Sequence, residues 1–174
     1  EVHIEREARR GLVGNIYLGK IIRVLPGMQA AFVDINLGKA AFLHASDINS
    51  KLILNDDNNN DQVPDIRNLV HEGQYIVVQV VKDPLGTKGA RLTTDITIAA
   101  RYLVLMPDAS HAGISQRIED PAERNRLKSI VTPYCGKDHG FIVRTAAEGA
   151  GKDELEHDAE FLRRVWAKVV ERKE

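Results

Sequence analysis

The sequence predicts a β-barrel followed by a small α+β domain, and three observations carry that expectation. Short alternating apolar runs separated by turn residues fill the stretch from Gly14 to Ile48, a second pair of strand runs lies between Gln74 and Asp95, and from Ile96 onward apolar residues fall at helical spacing. Ile21, Val24, Ala31, Val33 and Ile35 alternate with other residues, while Pro26-Gly27 and Asn36-Leu37-Gly38 supply turn chemistry. Three strands in about 35 residues is the spacing of a meander. In the second pair, Tyr75, Val77 and Gln79 alternate with Ile76, Val78 and Val80, and KDPLGTKGARLTTD follows as a Gly-rich, basic hairpin tip. Five strands of this kind, carrying aromatics and a basic hairpin, describe an OB-type barrel.

Between the two strand groups, 49–71 reads as a long insertion, Asn/Asp-rich and mobile at its centre, with a short helix from Asp65 to Val70. The second domain begins near Ile96. Strands are expected at Arg101 to Met106 and at Ala112 to Ile118. A helix follows, with Asp120 as N-cap, Pro121 at the first position and Glu123 completing a capping box, buries Leu127, Ile130 and Val131, and stops at Thr132-Pro133. A strand from Gly140 to Thr145 leads through AAEGAG into a longer helix burying Leu155, Ala159, Leu162, Trp166 and Val169. Its early acids (Asp153, Glu154, Glu156, Asp158) and late bases complement the helix dipole.

Composition sets limits on function. The chain has 174 residues, 43% of them hydrophobic, which supports one or two domains with real cores. No run of eighteen apolar residues exists, and EVHIEREARRG lacks the apolar core of a signal peptide, so a cytoplasmic protein without a membrane span is expected. The absence of an initiator Met suggests an excised fragment. A lone cysteine, Cys135, forms no internal disulfide and no metal-ligand pair. A net charge of −1 argues against broad polyanion binding, so any nucleic acid is gripped by local patches. Residues 1–46 and 82–101 lean basic; 47–72 leans acidic.

Two groups of residues invite a chemical reading. Phe32 in AAFVD and Phe42 in AAFLH each follow two alanines, leaving room for a flat ligand; stacking on bases and filling the barrel core are both open. Lys82, Lys88 and Arg91 flank the hairpin tip, where they either contact phosphates or serve only as a solvated surface. In the second domain a strand ends in Arg144-Thr145 before a small-residue loop, which offers a guanidinium, a hydroxyl and free backbone N–H groups in one place. A surface ion-pair role for Arg144 is the alternative. GAGK at 149–152 lacks the remaining positions of a Walker loop and is not one. No DxD or similar acidic cluster sits at a strand end, and the six histidines show neither ligand spacing nor an acid/base pairing, so no catalytic residue and no metal site is expected within the chain.

The stretches GNIYLGKIIRVLPGMQAAFVDINLGKAAFLHASDI, VVQVVKDPLGTKGARLTTDIT, RYLVLMP and GFIVRTAAEG resemble the S1 domain and following segment of the ribonuclease E/G family, and together they run through nearly the whole chain. The resemblance implies an edge of a ribonuclease H-like region at 1–10, an OB-fold S1 RNA-binding domain at 11–95 and an α+β 5′-sensor at 96–174. It places Phe32, Phe42 and Lys88 on the RNA surface, with Arg91 beside them and His44 and Ser46 as further polar groups; at Ile35 the ribonuclease E branch carries an aromatic. It also implies a pocket for an RNA 5′-monophosphate made by Arg144 and Thr145, closed by backbone around Val104 and flanked by Arg117, with Gln116 where the ribonuclease E branch has Arg. The function implied is the RNA-binding and 5′-monophosphate-sensing portion of a Mg²⁺-dependent, single-strand-specific endoribonuclease of rRNA processing and mRNA decay, homodimeric as a whole. The Mg²⁺ carboxylates and the ligands of a zinc shared between protomers would lie outside this chain, so these residues alone would not cut RNA. A noncatalytic S1-type RNA adaptor, using the helix of Trp166 for a protein partner, is the rival reading.

Overall fold

The computed structural model describes residues 11–49, 63–107 and 109–173. The expected region at 1–10 and the centre of the expected insertion lie outside the described residues. The chain divides between Asp95 and Ile96 into two compact units.

The first unit is a closed five-stranded barrel, ordered β1-β2-β3-β5-β4, formed by β1 (Ile16–Leu25), β2 (Ala30–Asp34), β3 (Ala41–His44), β4 (Tyr75–Lys82) and β5 (Arg91–Thr93). Neighbours pair antiparallel except β3 and β5, whose parallel contact closes the barrel. Strand β1 is long enough to serve both β2 and β4, and the register shift between Ile21 and Arg23 is the bulge that lets it bend from one to the other. Inward positions follow the alternation of the sequence: Ile21, Ala31, Val33, Leu43, Val78 and Leu92 are fully buried.

A further plug comes from a segment expected to be part of an insertion. The single turn α1 (Ile66–Leu69), capped by Asp65, buries Ile66, Leu69 and Val70 in the same core as the strands. Ile66 N–H donates to Gln29 Oε1 at 3.0 Å. Residues 63–71 are thus part of the barrel's base, because a short barrel leaves an open end that apolar side chains must fill.

The second unit is a four-stranded sheet, ordered β6-β7-β9-β8, from β6 (Ile98–Ala99), β7 (Leu103–Met106), β8 (Ala112–Ile114) and β9 (Gly140–Val143), with β8 and β9 parallel. Leu103, Leu105, Phe141 and Val143 point to one face, where α2 (Pro121–Val131) and α3 (Lys152–Lys173) cover them with Leu127, Val131, Leu155, Ala159 and Leu162. Two expected strands are shorter than the sequence suggests. Ser115 leaves the sheet after its N–H donates to the Val143 carbonyl, so β8 ends at Ile114, and the chain bends at Arg101-Tyr102 before β7 begins. Strand β9 ends at Val143, and Thr145–Ala147 form a 3-10 turn. The capping box is also absent: Asp120 accepts from Ala122 N–H, but the Glu123 carboxylate turns to Arg126 and Gly149 instead of back to the N-cap.

Truncating the plug tests its place in the barrel. Ile66→Ala should lower the stability of the barrel's urea transition by about 2 to 5 kcal/mol, the usual cost of removing a fully buried aliphatic side chain. An unchanged midpoint would mean that 63–71 is dispensable to the core.

Candidate functional site

The two phenylalanines are adjacent on the outer face of the barrel. Phe32 on β2 is in register with Phe42 on β3, and in a strand where Ala31, Val33, Ala41 and Leu43 point inward, these two must point outward. Both rings are half-buried, 6.3 Å apart between centroids at 67°, and His44 continues the row 6.3 Å beyond Phe42. The alanines beside the rings, Ala30, Ala31 and Ala41, are fully buried. The two rings thus share an outer face of the barrel, and a pure core role is not what the fold gives them.

The groove beside these rings has room for about 850 Å³ and is lined by both of them, by Met28 and Leu85, and by Lys39, Lys82, Lys88 and Arg91, with Asp83 the one carboxylate. Gly89 is required here because a side chain would overlap the Ala40 carbonyl oxygen, where the hairpin crosses β3. Lys39 Nζ donates to the Gly86 carbonyl at 2.9 Å and holds the hairpin tip over the groove. Arg91 lies opposite Phe42 but is bound through two nitrogens to Asp47, at 2.9 and 3.2 Å, which raises its pKa further and offsets its charge. Lys39, Lys82 and Lys88 are in no ion pair among the described residues and are the groove's uncompensated cations. Ser46 N–H donates to His44 Nδ1, so the neutral ring carries its proton on Nε2. Ile35 is buried and takes no part in the groove.

In the second unit, Arg144 and Thr145 are exposed at the end of β9. Arg144 Nη1 donates to the Ala100 carbonyl at 2.7 Å, and Thr145 Oγ1 lies 3.2 Å from Ser115 Oγ. Ser115 Oγ also accepts weakly from Arg117 N–H at 3.4 Å, and Arg124 fixes this turn by donating to the carbonyls of Ser115 and Ile118 at 2.8 Å each. The structure therefore gathers Arg144, Thr145 and the Ser115–Arg117 turn. The backbone that meets Arg144 is that of Ala100 and Tyr102; Val104, half-buried, lies one hydrogen-bonded pair deeper, in register with Ile142. Ser115 and Ala100 escaped the sequence reading, because nothing in ISQR or IAAR marks a bend that faces a distant strand end.

The loop after Thr145 does not offer all its N–H groups. Ala147, Glu148 and Ala150 donate to carbonyls of the loop itself, Gly149 donates to Glu123 at 2.8 Å, and Gly151 donates to Glu154 at 2.9 Å. Only Thr145 and Ala146 N–H have no acceptor among the described residues. Elsewhere, Trp166 packs against the core and Cys135 is half-buried, its thiol pushed up by burial. Among the described residues no three of His, Cys, Asp or Glu gather as a metal ion would require, and no helix is long and apolar enough to cross a membrane.

Comparison with known proteins gives these two units a class. Residues 12–93 match the S1 RNA binding domain, and residues 97–174 match the ribonuclease E/G family. The chain belongs to the ribonuclease E/G family. It is 65% identical over 175 residues to ribonuclease G of Escherichia coli K12, taking in 99% of this chain and 36% of that protein. Ribonuclease E of Nostoc sp. is 37% identical over 158 residues, 90% of this chain and 22% of that protein. Among solved structures, GSP13 of Bacillus subtilis aligns with 47% of this chain and 54% of its own at 20% identity, with a TM-score of 0.36. The chain spans about a third of the length of the ribonuclease G relatives it matches.

Glu123, the α2 carboxylate that holds the loop at Gly149, gives a pH dependence. Hydrogen bonds from Arg126, and next from Gly149 N–H, hold Glu123 down to about 2 from its usual 4.5. A depressed carboxylate stabilises the fold fully above its unfolded pKa and loses that contribution as pH falls, here between pH 4.5 and about 2. The melting temperature of the wild type should therefore fall more steeply across that window than that of Glu123→Gln, the two converging near the bottom. Parallel curves would contradict the assignment.

Proposed function

We propose that the chain is the RNA-binding and 5′-monophosphate-sensing portion of an endoribonuclease that acts on single-stranded RNA in rRNA processing and mRNA decay. The observation that carries this reading is the outward pair Phe32 and Phe42 beside a groove whose free cations are lysines. Bases stack on exposed aromatic rings whatever their identity, and lysines on a flexible hairpin follow the phosphates, which suits a grip on unpaired RNA without strong sequence choice. With Nδ1 accepting from Ser46 N–H, His44 can donate from Nε2 to a base edge or a ribose oxygen at the end of the row.

At the second site, Arg144 spends one nitrogen on Ala100 and keeps the rest of its fork for a ligand. If Ser115 accepts from Arg117 N–H and donates to Thr145, the Thr145 proton is left to point outward, so guanidinium and hydroxyl both donate toward one spot. A terminal monophosphate would satisfy both donors, and a 5′-hydroxyl would leave the guanidinium unpaired. Arg117 adds positive charge at the rim, and Gln116 stands exposed beside it. The resemblance of the family motifs also implies Mg²⁺ for cleavage and a zinc between protomers of a dimeric, cytoplasmic parent. Among the described residues no three of His, Cys, Asp or Glu gather, and this reading assigns both metals to the rest of the parent enzyme. The adaptor alternative would bind RNA through the groove alone.

Fluorescence anisotropy with a short A/U-rich RNA tests the reading at both places. The 5′-monophosphorylated RNA should bind roughly ten- to a hundred-fold more tightly than its 5′-hydroxyl form, the effect of about 1.5 to 3 kcal/mol from one charged hydrogen bond, and Arg144→Ala should abolish the preference. Equal affinities in the wild type would favour the adaptor. Phe32→Leu and Phe42→Leu should each weaken binding of both RNAs by about 1 to 3 kcal/mol, with little change in melting temperature. Loss of stability with affinity retained would return the rings to a structural role.

A further inference from the structure

The acids at the start of α3 do more than complement a helix dipole, and one of them lies where the dipole has little effect. Asp158 is more than one turn into the helix, beyond the reach of the N-terminal field. Its Oδ2 accepts from Tyr102 N–H at 2.7 Å. That N–H sits at a buried bend before β7, where no strand supplies an acceptor, so the carboxylate answers a donor that would otherwise be costly to bury. One turn earlier, Glu154 accepts from the Tyr102 hydroxyl at 3.2 Å and, through its other oxygen, from Gly151 N–H at 2.9 Å.

The bend held in this way is the one that holds Arg144. Tyr102 carbonyl accepts from Arg144 N–H at 2.8 Å, and the Ala100 carbonyl accepts from Arg144 Nη1 at 2.7 Å. Ala100 is itself tied to Leu103 at 2.8 Å, so the bend is a single short unit gripped by the helix on one side and by the arginine on the other. The geometry points to Asp158 as a positioning residue: through Tyr102 it sets the Ala100 carbonyl that aims the Arg144 guanidinium, and thereby the selectivity for a terminal phosphomonoester. This rests on the reading of Arg144 as a phosphate ligand. It goes beyond that reading by placing a determinant of selectivity on a helix that itself need not touch the RNA.

The test compares Asp158→Ala with Asp158→Asn, because asparagine keeps an oxygen for the Tyr102 N–H. Affinities for 5′-monophosphorylated and 5′-hydroxyl RNA are measured for each protein, and the Arg144 side-chain Nε–H resonance is followed by NMR. In Asp158→Ala the monophosphate preference should fall roughly three- to ten-fold, with affinity for the hydroxyl RNA unchanged and the Arg144 resonance shifted or broadened; Asp158→Asn should stay close to wild type. A preference in Asp158→Ala equal to that of the wild type overturns the proposal. If the wild type itself shows no preference, the phosphate reading fails separately, and an Arg144 resonance unmoved in Asp158→Ala then overturns the positioning as well, whereas a moved one upholds it. Should Asp158→Ala not fold, Tyr102→Phe, which removes only the hydroxyl held by Glu154, takes its place: a reduced preference supports the role of the bend, and an unchanged one refutes it.

Discussion

The barrel's closure by a parallel contact between β3 and β5 is the constraint on which the aromatic groove depends. Only one pair, Phe42 and Arg91, is in register across it, supported by Phe42 N–H donating to the Ala90 carbonyl at 2.8 Å. So short a seam holds because the hairpin backbone passes directly over Ala40, which is possible only with glycine at 89. Asp47 reinforces the seam from the far side of β3: its carboxylate binds Arg91, while its carbonyl accepts from Thr94 N–H and the Thr93 hydroxyl. The same closure that completes the core thus brings an aromatic from β3 and lysines from the hairpin to one wall. Barrel closure and the shape of the groove are coupled at that seam, and Arg91 belongs more to the seam than to the groove.

The second unit solves a different problem. The edge that carries Arg144 is made from chain bends, where backbone groups leave the sheet without partners, and nearly every such group is met by a side chain or a tight turn. Glu123, Glu154 and Asp158 take the N–H groups of Gly149, Gly151 and Tyr102, and Arg124 and Arg144 take the carbonyls of Ser115, Ile118 and Ala100. At Tyr102, Ser115 and Ile118, where the bonds are partly buried, donors and acceptors left unpaired would cost more than these bonds return in isolation, so the pairing fixes those bends in one arrangement. What remains open at the edge among the described residues is the Thr145 hydroxyl, the Thr145 and Ala146 N–H groups, part of one guanidinium and the Arg117 charge, a set made entirely of donors or groups able to donate.

The sequence carried the architecture well wherever period and punctuation were strong. The alternation around Ile21, Ala31 and Val33, the Asp120-Pro121 helix start and the long apolar stripe of α3 all appear as strands, cap and helix. It singled out Phe32, Phe42, Arg144 and Thr145 too, because family motifs surround them, and the fold sets the first two side by side and the last two at one strand end. What it could not carry were partnerships between distant segments. Whether a Phe in an alternating strand faces in or out depends on register, and register was settled by the alanines that fit the interior. Arg91 looked like a free cation until the fold set Asp47 beside it. Glu123 had the spacing of a capping box, yet Arg126 and the loop at Gly149 competed for its carboxylate and won. The plug formed by Ile66, Leu69 and Val70 was hidden by the polar composition of its neighbours.

The central claim is that one chain reads RNA at two places, by stacking in the barrel groove and by charge at the strand end. An NMR titration of the isotopically labelled protein with a 5′-monophosphorylated RNA and its 5′-hydroxyl twin tests it most directly. The account predicts that signals of Phe42 and Lys88 move with both RNAs, while those of Ser115 and Thr145 move only with the monophosphate. Signals at Thr145 that respond to both RNAs alike, or a groove that responds to neither, would contradict it.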